Sequence, residues 1–205
     1  SAAAPAHAAP GGNGKGQDIG FRRDAIQDAL EAMVDDGAVG VVASVVGASG
    51  GFQTAAGLRQ IGRDSAKPQD RARVASVTKG MVATVAMQEV ERGTLSLDTT
   101  VGEVLPGLWP EYEDRVTLSM LMNHTSGMPD AIWVVMRGQS LFELDLDELA
   151  AVVSRRYGQR ELVELAKQDS WWFEPGTDHG YSNTGYVVLE MMVEAVTGRR
   201  MPELI

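Results

Sequence analysis

The 205 residues carry 18 Lys and Arg against 28 Asp and Glu, a net charge of −10 that repels nucleic-acid backbones and anionic membrane surfaces. No Cys is present, which excludes disulfides, thiolate catalysis and cysteine-ligated metal sites, and the length allows a sizeable core in one domain or one with an insertion. No apolar run approaches the roughly 18 residues of a membrane span.

Residues 1–20 open with a Pro/Gly/Ala segment lacking apolar periodicity and read as a flexible leader. A small-residue start fits the removal of an export signal, and a cloning scar equally. Gly11, Gly12, Gly14 and Gly16 do not make a phosphate loop, because no strand precedes them and no Gly-Lys-Ser/Thr follows. Phe21, Ala25, Ile26, Ala29, Leu30 and Met33 fit one face of a helix ending at Gly37. Gly40–Val46 and Phe52–Leu58 read as two antiparallel strands around a turn at 47–51 that contains Ser49. Residues 21–68 thus form a first helix and hairpin. Residues 69–205 shift to helices, predicted at 77–91, 118–123, 146–154, 161–167 and 185–196. A two-stranded sheet is marginal alone, so more sheet is expected, and a chain ending soon after a helix reads as an incomplete fold.

Ser76-Val77-Thr78-Lys79 places a hydroxyl and an amine three residues apart where the 77–91 helix starts. Residues i and i+3 share a face about 4.5 Å apart along the axis, so the amine can reach the hydroxyl. Serine is a poor nucleophile until a neighbour takes its proton, which an amine or a phenol can do when its surroundings favour the neutral or ionised form it needs. The pattern is loose, and a capping serine followed by an exposed lysine is the blander reading. Tyr181-Ser182-Asn183 follows the Pro175-Gly176 turn. Asn183 offers a donor and an acceptor to a substrate amide, and Tyr181 offers a hydroxyl that could carry a proton. Alternatively Tyr181 packs on the Trp171-Trp172 cluster and Asn183 caps the last helix.

His7, His124 and His179 show no metal-ligand spacing. His124, at the end of a short helix, suits bonding to its last carbonyls, whereas His179 lies near the Tyr181 loop and is a candidate substrate contact. Glu143, Asp145, Asp147 and Glu148, interleaved with Leu141, Leu144, Leu146 and Leu149, read as a solvated helix start in preference to a metal site. Neither a metal nor a cofactor is expected.

Together, Arg73-Val74-Ala75-Ser76-Val77-Thr78-Lys79, Leu121-Met122-Asn123-His124-Thr125-Ser126-Gly127-Met128, Glu174-Pro175-Gly176 and Tyr181-Ser182-Asn183-Thr184-Gly185-Tyr186 resemble the serine β-lactamase-like family. That family includes D-alanyl-D-alanine carboxypeptidases, class C β-lactamases and related esterases. Ser-x-x-Lys is a known signature of lactamases and penicillin-binding proteins. The resemblance implies an α+β fold of β-lactamase/transpeptidase type: an antiparallel sheet flanked by helices, with a mostly helical inserted domain. It also implies Ser76 as the acylated nucleophile, Lys79 and Tyr181 as its proton-transfer partners, and Asn183 as a substrate contact. The family's His/Lys-x-Gly strand, which supplies an oxyanion amide beside that of Ser76, is absent from these residues. The resemblance therefore implies that C-terminal strands are missing, perforce supplied by further polypeptide or a second chain, and that the segment is inactive without them. The expected activity is D,D-carboxypeptidase or transpeptidase action on D-alanyl-D-alanine peptide ends outside the cell membrane, by a secreted or envelope-exterior protein binding peptide or β-lactam-like substrates. The alternatives are a β-lactamase, a serine esterase or D-amino-acid amidase, or a catalytically silent penicillin-binding-like module.

Overall fold

The computed structural model describes residues 23–47, 50–136 and 145–205, in two compact units, Ser1–Arg73 and Val74–Ile205. The leader, Phe21, Ser49, Leu141, Glu143 and Leu144 lie outside the described residues. The architecture is α+β.

In the first unit, α1 (Arg23–Asp35) packs on a hairpin of β1 (Gly40–Gly47) and β2 (Gly50–Gly57). The strands pair antiparallel from Gly40 opposite Gly57 to Gly47 opposite Gly50, so the ladder runs further toward the turn than the glycines there suggest. Thr54 Oγ1 donates to Gln27 Oε1, and Gln27 Nε2 donates to the Ala55 carbonyl at 3.4 Å, tying α1 to β2 beside buried Leu30 and Ala56. Among the described residues the sheet has these two strands.

The second unit is helical: α2 (Val77–Glu91), α3 (Val101–Val104), α4 (Leu118–Met122), α5 (Ala131–Val135), α6 (Leu146–Ser154), α7 (Gln159–Ala166), α8 (Asn183–Thr197) and a 3-10 turn at Met201–Glu203. Gly185, Val188, Leu189 and Met192 follow one another at helical spacing and are all buried, so α8 can bury a broad face. It does so against α2, α4, α5 and α7, meeting Val82, Val85, Leu118, Leu121 and Val163 in one core. Each large aliphatic side chain buried there contributes about 1.5–3 kcal/mol before entropy is subtracted.

The helix starts have local causes. Thr100 Oγ1 accepts from Glu103 N while Glu103 Oε2 accepts from Thr100 N at 2.6 Å, a capping box that nucleates α3. Asp145 Oδ1 accepts from the amides of Asp147 and Glu148, so part of the acidic run serves as a helix cap. Ser182 Oγ accepts from Gly185 N at 3.1 Å, which starts α8 two residues before the predicted position and gives the capping role to Ser182 instead of Asn183. Gly198, left-handed at φ +67°, ends that helix.

Candidate active site

The packing of α2 against α8 sets the N-termini of the two helices side by side, and every group described below belongs to the second unit. Ser76 is the N-cap residue of α2, yet its hydroxyl makes no capping bond. It accepts instead from the Tyr181 hydroxyl at 2.8 Å and from Lys79 Nζ at 3.3 Å. The amine thus reaches the hydroxyl as the i, i+3 spacing predicts. Lys79 Nζ also donates to Asn183 Oδ1 at 2.6 Å and lies 4.9 Å from the centre of the Tyr181 ring.

Two non-glycine residues among those described have positive φ, Ala75 at 45° and His124 at 63°. A left-handed L-residue costs about 1–2 kcal/mol. Both flank this cluster: Ala75 turns the chain into Ser76, and the His124 ring lies 4.3 Å from that of Tyr181, tilted by 32°. Strain of this kind persists only where surrounding contacts over-determine it.

At His124 those contacts come from two loops zipped together. The amides of Trp172, Gly176 and Gly180 donate to the carbonyls of Gly127, Thr125 and His124 at 2.9, 2.8 and 2.9 Å. The approach is close enough that a Cβ on Gly127 would lie 2.1 Å from the Phe173 carbonyl oxygen, and Gly127 itself has φ +74°. This explains the Ser-Gly and Pro-Gly pairs in physical terms: they let the loop ahead of Tyr181 lie against the turn after α4.

His124 Nδ1 accepts from Ser182 N at 3.3 Å, which puts the ring proton on Nε2. Its expected bond to the carbonyls ending α4 is not what the structure uses, because the left-handed backbone swings the ring toward Tyr181. Burial first, then the charge of Lys79 and the neighbouring His179, hold the imidazole below the usual histidine range against the opposing pull of Asp130. Burial pushes the Tyr181 phenol up, but its hydrogen bonds with Lys79 and Ser76 and the Lys79 charge outweigh this, leaving it below the ordinary tyrosine value, with Asp130 opposing. Tyr181 is 46% exposed and stacks on His124; Trp171 packs instead edge-on against Trp109 and Tyr112, so Tyr181 is not part of the tryptophan cluster. His179 is exposed, with its ring 6.1 Å from that of His124, at the edge of the cluster.

The arrangement suits nucleophilic chemistry at Ser76. Its oxygen has two ionisable neighbours, and whichever of them lacks a proton becomes an acceptor for the serine proton. A family model described as Beta-lactamase matches residues 24–205. The chain belongs to this family. It is 32% identical over 190 residues to esterase EstB of Burkholderia gladioli, covering 88% of this chain and 46% of the esterase. It is 31% identical over 134 residues to penicillin-binding protein 4* of Bacillus subtilis, covering 64% of this chain and 26% of that protein. A D-stereospecific amidohydrolase from Streptomyces sp. superposes with a TM-score of 0.73 at 32% identity, covering 88% of this chain and 51% of that one. The chain therefore spans about a quarter to a half of the length of these β-lactamase-family relatives.

Asp130 has no counterpart in the sequence reading. Its carboxylate, on a residue only 7% exposed, accepts from Asn183 Nδ2 at 2.7 Å and from Asn183 N at 3.2 Å. The one available signal was an Asp directly after Pro129 and before an apolar run, which marks a helix cap and says nothing of Asn183. Among the described residues no helix is long and apolar enough to cross a membrane.

Proposed function

We propose that this chain carries the acyl-transfer centre of a serine hydrolase that cleaves D-amino-acid amides or small esters. The observation that carries the reading is Ser76 Oγ held between the Tyr181 hydroxyl at 2.8 Å and Lys79 Nζ at 3.3 Å. The serine oxygen attacks the substrate carbonyl carbon, and its proton passes to Tyr181 or Lys79. Collapse of the tetrahedral intermediate breaks the bond to the amine or alkoxide, which takes that proton and leaves an ester on Ser76. Water then attacks this ester, with the same groups moving protons in reverse. The lowered Tyr181 phenol favours that residue as the acceptor, because phenolate is reached at lower pH than for a free tyrosine. Asn183, with one Nδ2 proton beyond that given to Asp130, and His179 at the edge are the proposed substrate contacts.

Amide and ester substrates are favoured by breadth of similarity: the amidohydrolase and the esterase each match 88% of the chain, the penicillin-binding protein 64%. Identity to that penicillin-binding protein supports a second reading, action on D-alanyl-D-alanine peptide ends. The product of the whole gene should be offered a D-amino-acid amide, its L-enantiomer, a short-chain p-nitrophenyl ester, a D-alanyl-D-alanine peptide and a penicillin. Turnover of the D-amide or the ester, lost on Ser76→Ala, supports the first reading. Release of D-alanine with a persistent penicillin adduct supports the second, and no acylation by any of them would leave a silent module.

A further inference from the structure

Asp130 is linked to the Lys79–Ser76 pair through Asn183. It caps α5 through Oδ1, which accepts from Ile132 N at 3.0 Å, a task that Ser or Thr performs as well on a five-residue helix. Burying a carboxylate is costly unless it is well bonded. Among the described residues no cation forms an ion pair with it; three N–H groups hold it, those of Ile132 N, Asn183 N and Asn183 Nδ2. The segment is fixed further where Thr184 Oγ1 accepts from Ala131 N at 2.8 Å and Ser182 Oγ donates to the Pro129 carbonyl at 3.4 Å. Asp130 is thus anchored to the start of α8 by bonds on either side of Asn183.

We propose that Asp130 is a positioning residue that fixes the Asn183 amide in one orientation, Nδ2 toward its own carboxylate and Oδ1 toward Lys79 Nζ, and so places the Lys79 amine on Ser76. Donor and acceptor capacities decide the orientation. An ionised carboxylate only accepts and an ammonium only donates. Of the two orientations of the Asn183 amide, one satisfies both neighbours, at 2.7 Å to Asp130 and 2.6 Å to Lys79. The flipped amide sets oxygen against carboxylate and NH2 against ammonium, losing two charge-assisted bonds at once. Without Asp130, Asn183 can turn, and Lys79 loses the acceptor that draws it to within 3.3 Å of Ser76 Oγ.

The inference rests on the serine-hydrolase reading for its kinetic consequence and not for its geometry, so two measurements test it on the product of the whole gene. Asp130→Ser keeps a capping hydroxyl for α5 but cannot reach Asn183. It should lower the acylation rate constant of Ser76 by about 10²-fold, the scale at which a small misplacement of a reacting group is felt. In an Asn183→Ala background the same substitution should change the rate by less than about threefold, because residues acting through one contact are not additive. Losses that multiply, or a parental rate in Asp130→Ser, would overturn the proposal. Independently of turnover, one Asn183 side-chain amide proton should resonate downfield in the parent and lose that displacement in Asp130→Ser; an unmoved pair of resonances would refute the contact. If the parent acylates with no probe while the resonance moves as expected, the serine-hydrolase reading fails and the positioning of Asn183 stands.

Discussion

The Tyr181 hydroxyl donates to Ser76 Oγ at 2.8 Å across 105 residues of chain, joining the start of α2 to the residue two before α8. Lys79 lies against both, within hydrogen-bond reach of Ser76 and 4.9 Å from the Tyr181 ring. These three groups form one hydrogen-bonded set, so the effects of substitutions within it should not multiply. Tyr181→Phe and Lys79→Ala should each slow acylation of Ser76 by about 10² or more, the lower end of general acid–base contributions. The double variant should lose much less than the product of the two. Stopped-flow acylation with an activated ester measures this, and parental rates in both single variants would contradict it.

Gly127→Ala tests the zipped loops. The added Cβ meets the Phe173 carbonyl oxygen at 2.1 Å and sits at φ +74°, whereas at Gly93, also at φ +74°, a Cβ meets nothing within 4 Å. Gly93→Ala should cost about 1–2 kcal/mol for its backbone alone. Gly127→Ala should add about 1–3 kcal/mol of overpacking to that cost. Urea denaturation of the two variants gives the difference, and equal losses would mean that the loops separate freely.

Much of this was legible from period and punctuation. The three-to-four residue recurrence from Val77 to Val90 predicts α2 at both observed ends, and β-branched runs between glycines predict the hairpin. Helices α3 and α5, of four and five residues, are too short to show a period and rest on Thr100 and Asp130 caps. The reach of Lys79 to Ser76 is local and follows from spacing, whereas the bond from Asn183 to Asp130 crosses 53 residues and depends on how α8 docks. His124 was misdirected for a similar reason. Its left-handed backbone, invisible in the residue types, turns the ring from the carbonyls of α4 to the amide of Ser182.

The lowered pKa of His124 carries a pH prediction. The unfolded chain takes up this proton near pH 6.5, while the folded chain resists it until lower pH, because burial, Lys79 and His179 all oppose the charge. The folded state therefore binds fewer protons in that window, and its stability falls as pH drops below 6.5 through the folded value. His124→Asn, whose side chain tolerates a left-handed backbone, should flatten this part of the dependence. Denaturation midpoints at pH 7.5, 6.5 and 5.5 for parent and variant decide it; parallel curves would show that the imidazole is not the group responsible. Acylation should decline over the same range, since protonated His124 cannot accept from Ser182 N–H beneath Tyr181.

The central claim is that Ser76 is the covalent nucleophile. The most direct measurement treats the product of the whole gene, and its Ser76→Ala variant, with a serine-directed fluorophosphonate and locates the adduct by peptide mass spectrometry. One adduct is expected, on the peptide containing Ser76, absent from the variant and formed at least tenfold more slowly when Tyr181 is Phe. An adduct on Ser126, Ser182 or another serine, or labelling of the Ser76→Ala variant at the parental rate, would contradict it.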